Sequence, residues 1–275
     1  MSIQPEILRE KYTKFLREDR VLLTGHSHQA WPDCAAEALA EAGCDVMLNG
    51  FGDAAEIEAT RSELESKTGV KVLYSGADMS KPESVAGMVK EAESAFGKVD
   101  ILVNNAGIQF VSPIDEFPEG KYDAIIAINM SSNWHAIKAA LPGMKARNWG
   151  RIINVASAHG LVASPFKSAY VMSKHGAVGL TKTVAMEVAE TNITCNAICP
   201  GYVRTPLVEG QIDDQAKAHG MSRDEVIRDV LLASQPNKRF VETDELGALA
   251  VFLCSDGAKS ITGVSIPVDG GWTAH

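Results

Sequence analysis

The chain has 275 residues, 45% of them apolar, and a formal net charge of −9, with an isoelectric point near 5.3. That length makes one large domain or two small ones with a sizeable core. The acidity argues against nucleic acid or an anionic membrane as a partner, so an anionic substrate must be caught by local donors.

Residues 5–18 read as a helix, with Ile7, Leu8, Tyr12, Phe15 and Leu16 as its apolar stripe. The same N-terminal stretch is charged and lacks an apolar signal region. Val21 to Gly25 reads as a short buried strand, Pro32 to Ala42 as a helix, and Val46 to Leu48 as a second strand. A loop, Asn49-Gly50-Phe51-Gly52-Asp53, leads to a helix ending near Lys67. Val70 to Tyr74 reads as the third strand. Ser80 is placed to cap a helix that runs to about Phe96, with proline in its first turn.

Ile101 to Val103 is a fourth strand running into Asn104-Asn105-Ala106-Gly107, and helix fills about 118–147. A fifth strand ends at Ser157, and the next helix runs to about Glu190. Ile193 to Cys199 is the sixth strand, closed by Pro200-Gly201. Two short helices fill 205–235, the second opened by a Ser222/Glu225 capping box. A helix over 243–255 and a strand over 264–268 complete the chain.

Strands alternating with helices of this length predict right-handed βαβ units, hence an α/β fold with a Rossmann-type, doubly wound parallel sheet in one domain over 21–275. Residues 1–20 form an atypical helical extension to it. Ligands on such sheets bind beyond the strand carboxyl ends. Gly25, Asn49, Asp78, Asn105, Ser157 and Pro200 all follow strands, so they share one edge. The five cysteines are odd in number and lack a metal-type C-x-x-C spacing. They read as reduced and mostly buried, as in a cytoplasmic protein. No stretch approaches the roughly 18 apolar residues of a spanning helix.

The chemistry converges on Ser157, Tyr170 and Lys174. On a helix, Tyr170 and Lys174 lie one turn apart on one face. An ammonium there favours the phenolate, making the tyrosine a usable acid or base near neutrality. A downward shift of ~3 units needs roughly 4 kcal/mol, which the lysine and a bound cationic cofactor together could supply. Ser157, at a strand's carboxyl end, can hydrogen-bond the same oxygen that Tyr170 protonates or deprotonates. A Tyr-x-x-x-Lys pair alone is ordinary helix decoration; its company here sets it apart.

That company is N-N-A-G at 104–107, Asn129 in I-A-I-N, Ser157, Y-x-x-x-K at 170–174 and P-G at 200–201. With it the chain resembles the short-chain dehydrogenase/reductase family. From about Ala42 onward it resembles the branch that oxidises D-3-hydroxybutyrate to acetoacetate, through NGFGDAAEIE, LVNNAGIQ, SAHGLVASPFKSAY, NAICPGYV and PVDGGWTA. The resemblance implies an NAD-dependent dehydrogenase in which Tyr170 moves the proton, Ser157 steadies the alkoxide and Lys174 tunes the tyrosine and holds the nicotinamide ribose. Asn129 then orders a proton-relaying water. It also implies a homotetramer.

For the substrate, the resemblance implies that Gln109, His159, Lys167 and Gln211 hold a small carboxylate by charge-assisted hydrogen bonds. Lys167 lies three residues before Tyr170, on the same face if the helix has begun. Trp272 is either a pocket wall near the methyl or a subunit contact. Taken singly, Lys167 and Gln211 are ordinary surface residues and His159 an ordinary structural histidine. For the dinucleotide, the resemblance implies Gly25, Phe51, Asp78, Asn105, Ala106, Gly107, Tyr170, Lys174, Pro200, Val203 and Thr205. Asp78 is equally well read as an acceptor for the adenine amino group or as a solvated loop acid. The loop after the second strand carries no cation for a 2′-phosphate, which favours NAD over NADP.

The chain departs from the family after its first strand. The pattern T-G-x-x-x-G-x-G becomes TGHSHQAWP, keeping only Gly25. The absent glycines would give the tight turn and close backbone approach to pyrophosphate. A helix starting at Pro32 would still direct its positive end at an anion. The expectation is weakened NAD binding. The first 33 residues instead resemble the N-terminal region of kynureninase-like, pyridoxal-phosphate-dependent enzymes, which suggests a substituted N-terminus and not a second activity. His26 and His28 share a strand face, but no third ligand accompanies them, so no metal is expected. Two other readings remain: a reductase of other 3-oxo acids or their thioesters, and a silent scaffold whose altered loop has abolished cofactor binding.

Overall fold

The computed structural model describes residues 21–25 and 34–274. The readings made for residues 1–20 and 26–33 lie outside the described residues, as does the side chain of Gln211.

In chain order the elements are β1 Val21–Gly25, α1 Cys34–Glu41, β2 Asp45–Asn49, α2 Ala54–Thr68, β3 Val72–Ser75, α3 Pro82–Phe96 and β4 Ile101–Asn104. Next, α4 Glu119–Ile126 passes through a π-helical turn, Ala127–Ser131, into α5 Ser132–Arg147. Then come β5 Gly150–Val155, α6 Ser168–Glu187, β6 Ile193–Pro200 and α7 Pro206–His219. A short α8, Arg223–Glu225, runs into a π-helical stretch, Val226–Leu231. The last two are α9 Thr243–Cys254 and β7 Ser265–Val268.

The strands pair in parallel in the order β3-β2-β1-β4-β5-β6-β7. The order reverses between β1 and β4, which opens a crevice at their carboxyl ends. Successive strand residues face opposite layers. Ile101, Val103 and Ile153 pack with Ala36, Leu39, Leu246 and Ala250. Leu102, Ile152 and Met47 pack on the other side with Val85, Met88, Ala136 and Val184.

Local signals set most boundaries. Asp53 caps α2 by accepting from Ala55 N and Glu56 N, and Gly69 ends it at φ 73°. The Ser222/Glu225 capping box forms as read from the sequence. Two expectations need correction, and a third point left open is decided. Ser80 is not a helix cap: its N–H and hydroxyl both donate to Asp78 Oδ1, at 2.9 and 2.7 Å, and Lys81 is the N-cap of α3. β5 stops at Val155, two residues short of Ser157. There Ser157 Oγ accepts the His159 backbone N–H at 3.2 Å and starts the turn Ala158–Gly160, a local bond that competes with the strand ladder. Lys167 precedes helix α6, as its N-cap with φ −124° and ψ 34°, so it does not share a helical face with Tyr170.

Candidate active site

The carboxyl edge of the sheet is tied together by buried amides. Gly25 pairs with Asn104 across the crevice. Asn104 Nδ2 donates to Asn154 Oδ1 at 2.8 Å, and Asn154 Nδ2 donates to Thr181 Oγ1 at 2.8 Å. This chain locks β4, β5 and α6 at one height, so the Asn105-Ala106-Gly107 loop, Ser157 and Tyr170 come level. The sequence reading missed Asn154 and Thr181. A lone asparagine inside the apolar run Arg151–Val155 was the available signal.

The loop after β4 is held from outside by Asn129. Fully buried in the π-helical turn, it accepts from Ile108 N at 2.8 Å and donates to Ile108 O at 2.9 Å. It also donates to Ser173 Oγ at 3.3 Å. π-helical turns inside α-helices are frequent at functional sites. Gly107 lies against both partners: a Cβ there would stand 3.5 Å from Lys174 Nζ and 3.8 Å from Asn129 Oδ1. Lys174 is buried, donates to Val155 O at 2.8 Å, and has its Nζ 5.6 Å from the Tyr170 ring centroid. Burial pulls its ammonium down to about 8.

Ser157 Oγ already accepts from His159 N, so its own proton is free for Tyr170, and that hydrogen bond favours the phenolate. The expected acidic phenol is nevertheless corrected. Burial outweighs Ser157, and Tyr170 sits above the ordinary tyrosine range. Desolvation penalises phenolate and ammonium alike when the two share a dry site.

The substrate residues cluster in part. His159 is buried, its Nε2 2.8 Å from Ser164 Oγ. Burial, helped by the charges of Lys167 and His175, pulls it down to about 4, so the ring is neutral. Its ring lies edge-on to Tyr170 at 5.8 Å and to Trp272 at 4.9 Å. Trp272 is 9% exposed and stacks on Tyr202 at 5.8 Å and 6°. Lys167 is half-buried, its ammonium lowered by burial. Gln109 is exposed beyond the β4 loop. The sequence reading also missed Tyr202, although an aromatic directly after Pro200-Gly201 was the signal.

Of the dinucleotide set, Asn105 and Gly107 are half-buried, Ala106 is packed in the core and Phe51 is exposed. Pro200 ends β6 beside Val268, and Val203 bridges to Val241. Thr205 caps α7 by accepting from Val208 N. Asp78 holds Ser80 and pairs with Lys81 at 3.3 Å, and those bonds keep its carboxyl below the usual range. Both Asp78 and Thr205 are thus engaged locally.

The family model described as enoyl-(acyl carrier protein) reductase matches residues 33–273. The chain is 54% identical over 240 residues to the D-beta-hydroxybutyrate dehydrogenase of Rhizobium meliloti, covering 87% of this chain and 93% of that one. To the Cupriavidus necator enzyme of the same name it is 52% identical over 241 residues, covering 87% and 92%.

This chain belongs to the short-chain dehydrogenase/reductase family.

Among solved structures it is similar to L-sorbose reductase from Gluconobacter frateurii complexed with NADPH and L-sorbose. The TM-score is 0.86 at 29% identity, with 94% of this chain and 98% of that one covered. The family uses NAD(P), and the described residues fit such a group. Asn49 Oδ1, at the carboxyl end of β2, is buried without a hydrogen-bond partner among the described residues, while Asn49 Nδ2 donates to Ser75 O and Ala77 O. An acceptor of that kind, at the carboxyl end of the second strand, suits a ribose hydroxyl.

Proposed function

We propose that this protein catalyses the reversible, NAD-dependent oxidation of D-3-hydroxybutyrate to acetoacetate. The observation that carries the reading is the proximity of Ser157, Tyr170 and His159 to one another and of the half-buried Lys167 ammonium to His159 and the Tyr202 ring. Such a site offers a proton acceptor and, a short reach away, a cation for a carboxylate.

When bound, NAD supplies the hydride acceptor. Tyr170 takes the proton from the C3 hydroxyl, and Ser157 donates to the same oxygen and steadies its charge. Lys174, with its ammonium between Val155 O and Gly107, lowers the cost of the phenolate and holds the nicotinamide ribose. Asn129 keeps the Gly107–Ile108 backbone in place and orders the water that carries the proton outward. Lys167, the neutral His159 ring, Gln109 and Gln211 orient the carboxylate, while Trp272 walls the apolar side. Asn105, Ala106, Gly107, Gly25, Phe51, Asp78, Pro200, Val203 and Thr205 line the dinucleotide side. NAD is favoured over NADP because residues 49–53 carry no cation and Asp53 is engaged in capping α2.

A cytoplasmic homotetramer is part of this reading. Supporting it are the buried thiols of Cys195 and Cys199, which carry no disulfide, and the exposed apolar side chains Tyr122, Trp134 and Met172 on α4, α5 and α6. No helix among the described residues is long and apolar enough to cross a membrane.

The test is NADH formation from D-3-hydroxybutyrate by the wild-type chain and by Tyr170→Phe. Turnover is expected for the first, and a loss of at least about a hundredfold for the second, since general acid–base groups contribute roughly 10²–10⁴. A wild-type chain that binds no NADH in a fluorescence titration would instead be the silent scaffold.

A further inference from the structure

We infer that Tyr202 is a positioning residue whose ring face seats the Lys167 ammonium and thereby sets where a substrate carboxylate binds. The inference rests on the hydroxy-acid reading above.

Lys167 is an awkwardly placed cation. It occupies the N-cap of α6, where the positive end of the helix repels an ammonium. It is half-buried, and burial is the cause of its lowered pKa, with no carboxylate among the described residues contributing. What meets its Nζ is the Tyr202 ring, with the centroid at 5.9 Å, inside the range of about 6 Å for cation–π attraction.

That ring is held in place by its surroundings. The Tyr202 N–H donates to Gln235 Oε1, and its carbonyl accepts from Val241 N at 2.9 Å. Gln235 is fully buried and donates onward to Arg239 O at 2.7 Å. The ring itself stacks on Trp272, which in turn meets His159 edge-on. The wall that positions Lys167 is therefore continuous with the one against Tyr170. A cation–π contact uses no hydrogen-bond acceptor, so the ammonium N–H donors turned away from the ring stay available to a carboxylate. The ring is thus a seat and not a competitor.

A series of same-shaped residues at 202 tests this: phenylalanine, then phenylalanine carrying one, two and three ring fluorines, each of which weakens the negative ring face. Tyr202→Phe, which keeps the ring face, is the reference for the series. Across the series KM for D-3-hydroxybutyrate should climb stepwise to a total of about 3- to 30-fold, with kcat little changed. KM for the neutral methyl ester should stay level. A KM for the acid that is flat, or that falls with fluorination, overturns the proposal.

A second readout needs no turnover. The Lys167 ε-methylene protons should be ring-current shifted upfield in the substrate-free wild type and Tyr202→Phe, and unshifted in Tyr202→Leu. Absence of the shift in the wild type overturns the seat. A shift present in a chain inactive on 3-hydroxybutyrate overturns the proposed function and leaves the seat standing.

Discussion

Lys174 puts a full positive charge in a dry site with the Val155 carbonyl as its hydrogen-bond acceptor. Its pKa of about 8, against 10.5 for an ordinary lysine, makes that placement a cost to folding. Between those two values the unfolded chain binds the extra proton, so stability rises with pH through that window. Below about 8 the penalty is constant. Lys174→Met should therefore abolish turnover yet stabilise the fold at pH 7 by about 1–2 kcal/mol, the relief from burial being partly offset by the Val155 carbonyl left without its donor. The gain should shrink above pH 8. Thermal denaturation at pH 7 and pH 9.5 checks this, and a lower Tm at pH 7 would contradict it. His159, held near 4 by burial, stays neutral throughout and should leave no limb in an activity profile above pH 5. The identities of Ser157, Tyr170 and Lys174 were legible in the sequence. Their protonation was not, because burial is a property of the assembled site.

At the scale of elements, the site depends on how closely the turn Ala158–Gly160 approaches α6. A Cβ on Gly160 would stand 2.9 Å from Lys174 O and 3.2 Å from Val178 Cγ2, too close to backbone that cannot give way. Gly160→Ala should lower stability by about 1–3 kcal/mol and reduce kcat by pushing Ser157 and His159 off the helix that carries Tyr170. Chemical denaturation with parallel kinetics measures both, and an unchanged kcat would show that the approach is not needed. Strand and helix order followed from apolar period and turn residues such as Gly69. The π-helical turn at Asn129 did not, since nothing in I-A-I-N distinguishes an extra residue per turn. Whether the helix had begun at Lys167 was left open by the sequence, because the start of a helix depends on the backbone at 167, not on spacing to Tyr170.

For the whole molecule, the reversal of strand order between β1 and β4 opens the crevice where ligands bind on such sheets, and the cation-free loop over 49–53 is the ground for the NAD proposal. NAD should exceed NADP in kcat/KM by about tenfold or more, the equivalent of about 1.4 kcal/mol for an unpaired 2′-phosphate. Initial rates with each cofactor test it, and equal values would contradict it. The exposed apolar positions on α4, α5 and α6 should be covered in a homotetramer. Light scattering coupled to size exclusion should give about four times the 29.4 kDa chain mass; a monomer would contradict it.

The sequence alone determined the parallel α/β class and named the candidate residues at the carboxyl edge of its sheet, because periodicity and short-range spacing are local properties. Only the tertiary structure decided that Asn104, Asn154 and Thr181 level the site, that Tyr170 is less acidic than its lysine neighbour suggests, and that Tyr202 meets Lys167. Each of those depends on groups 27 to 50 residues apart in the chain, or on burial that exists only once the layers close over the sheet.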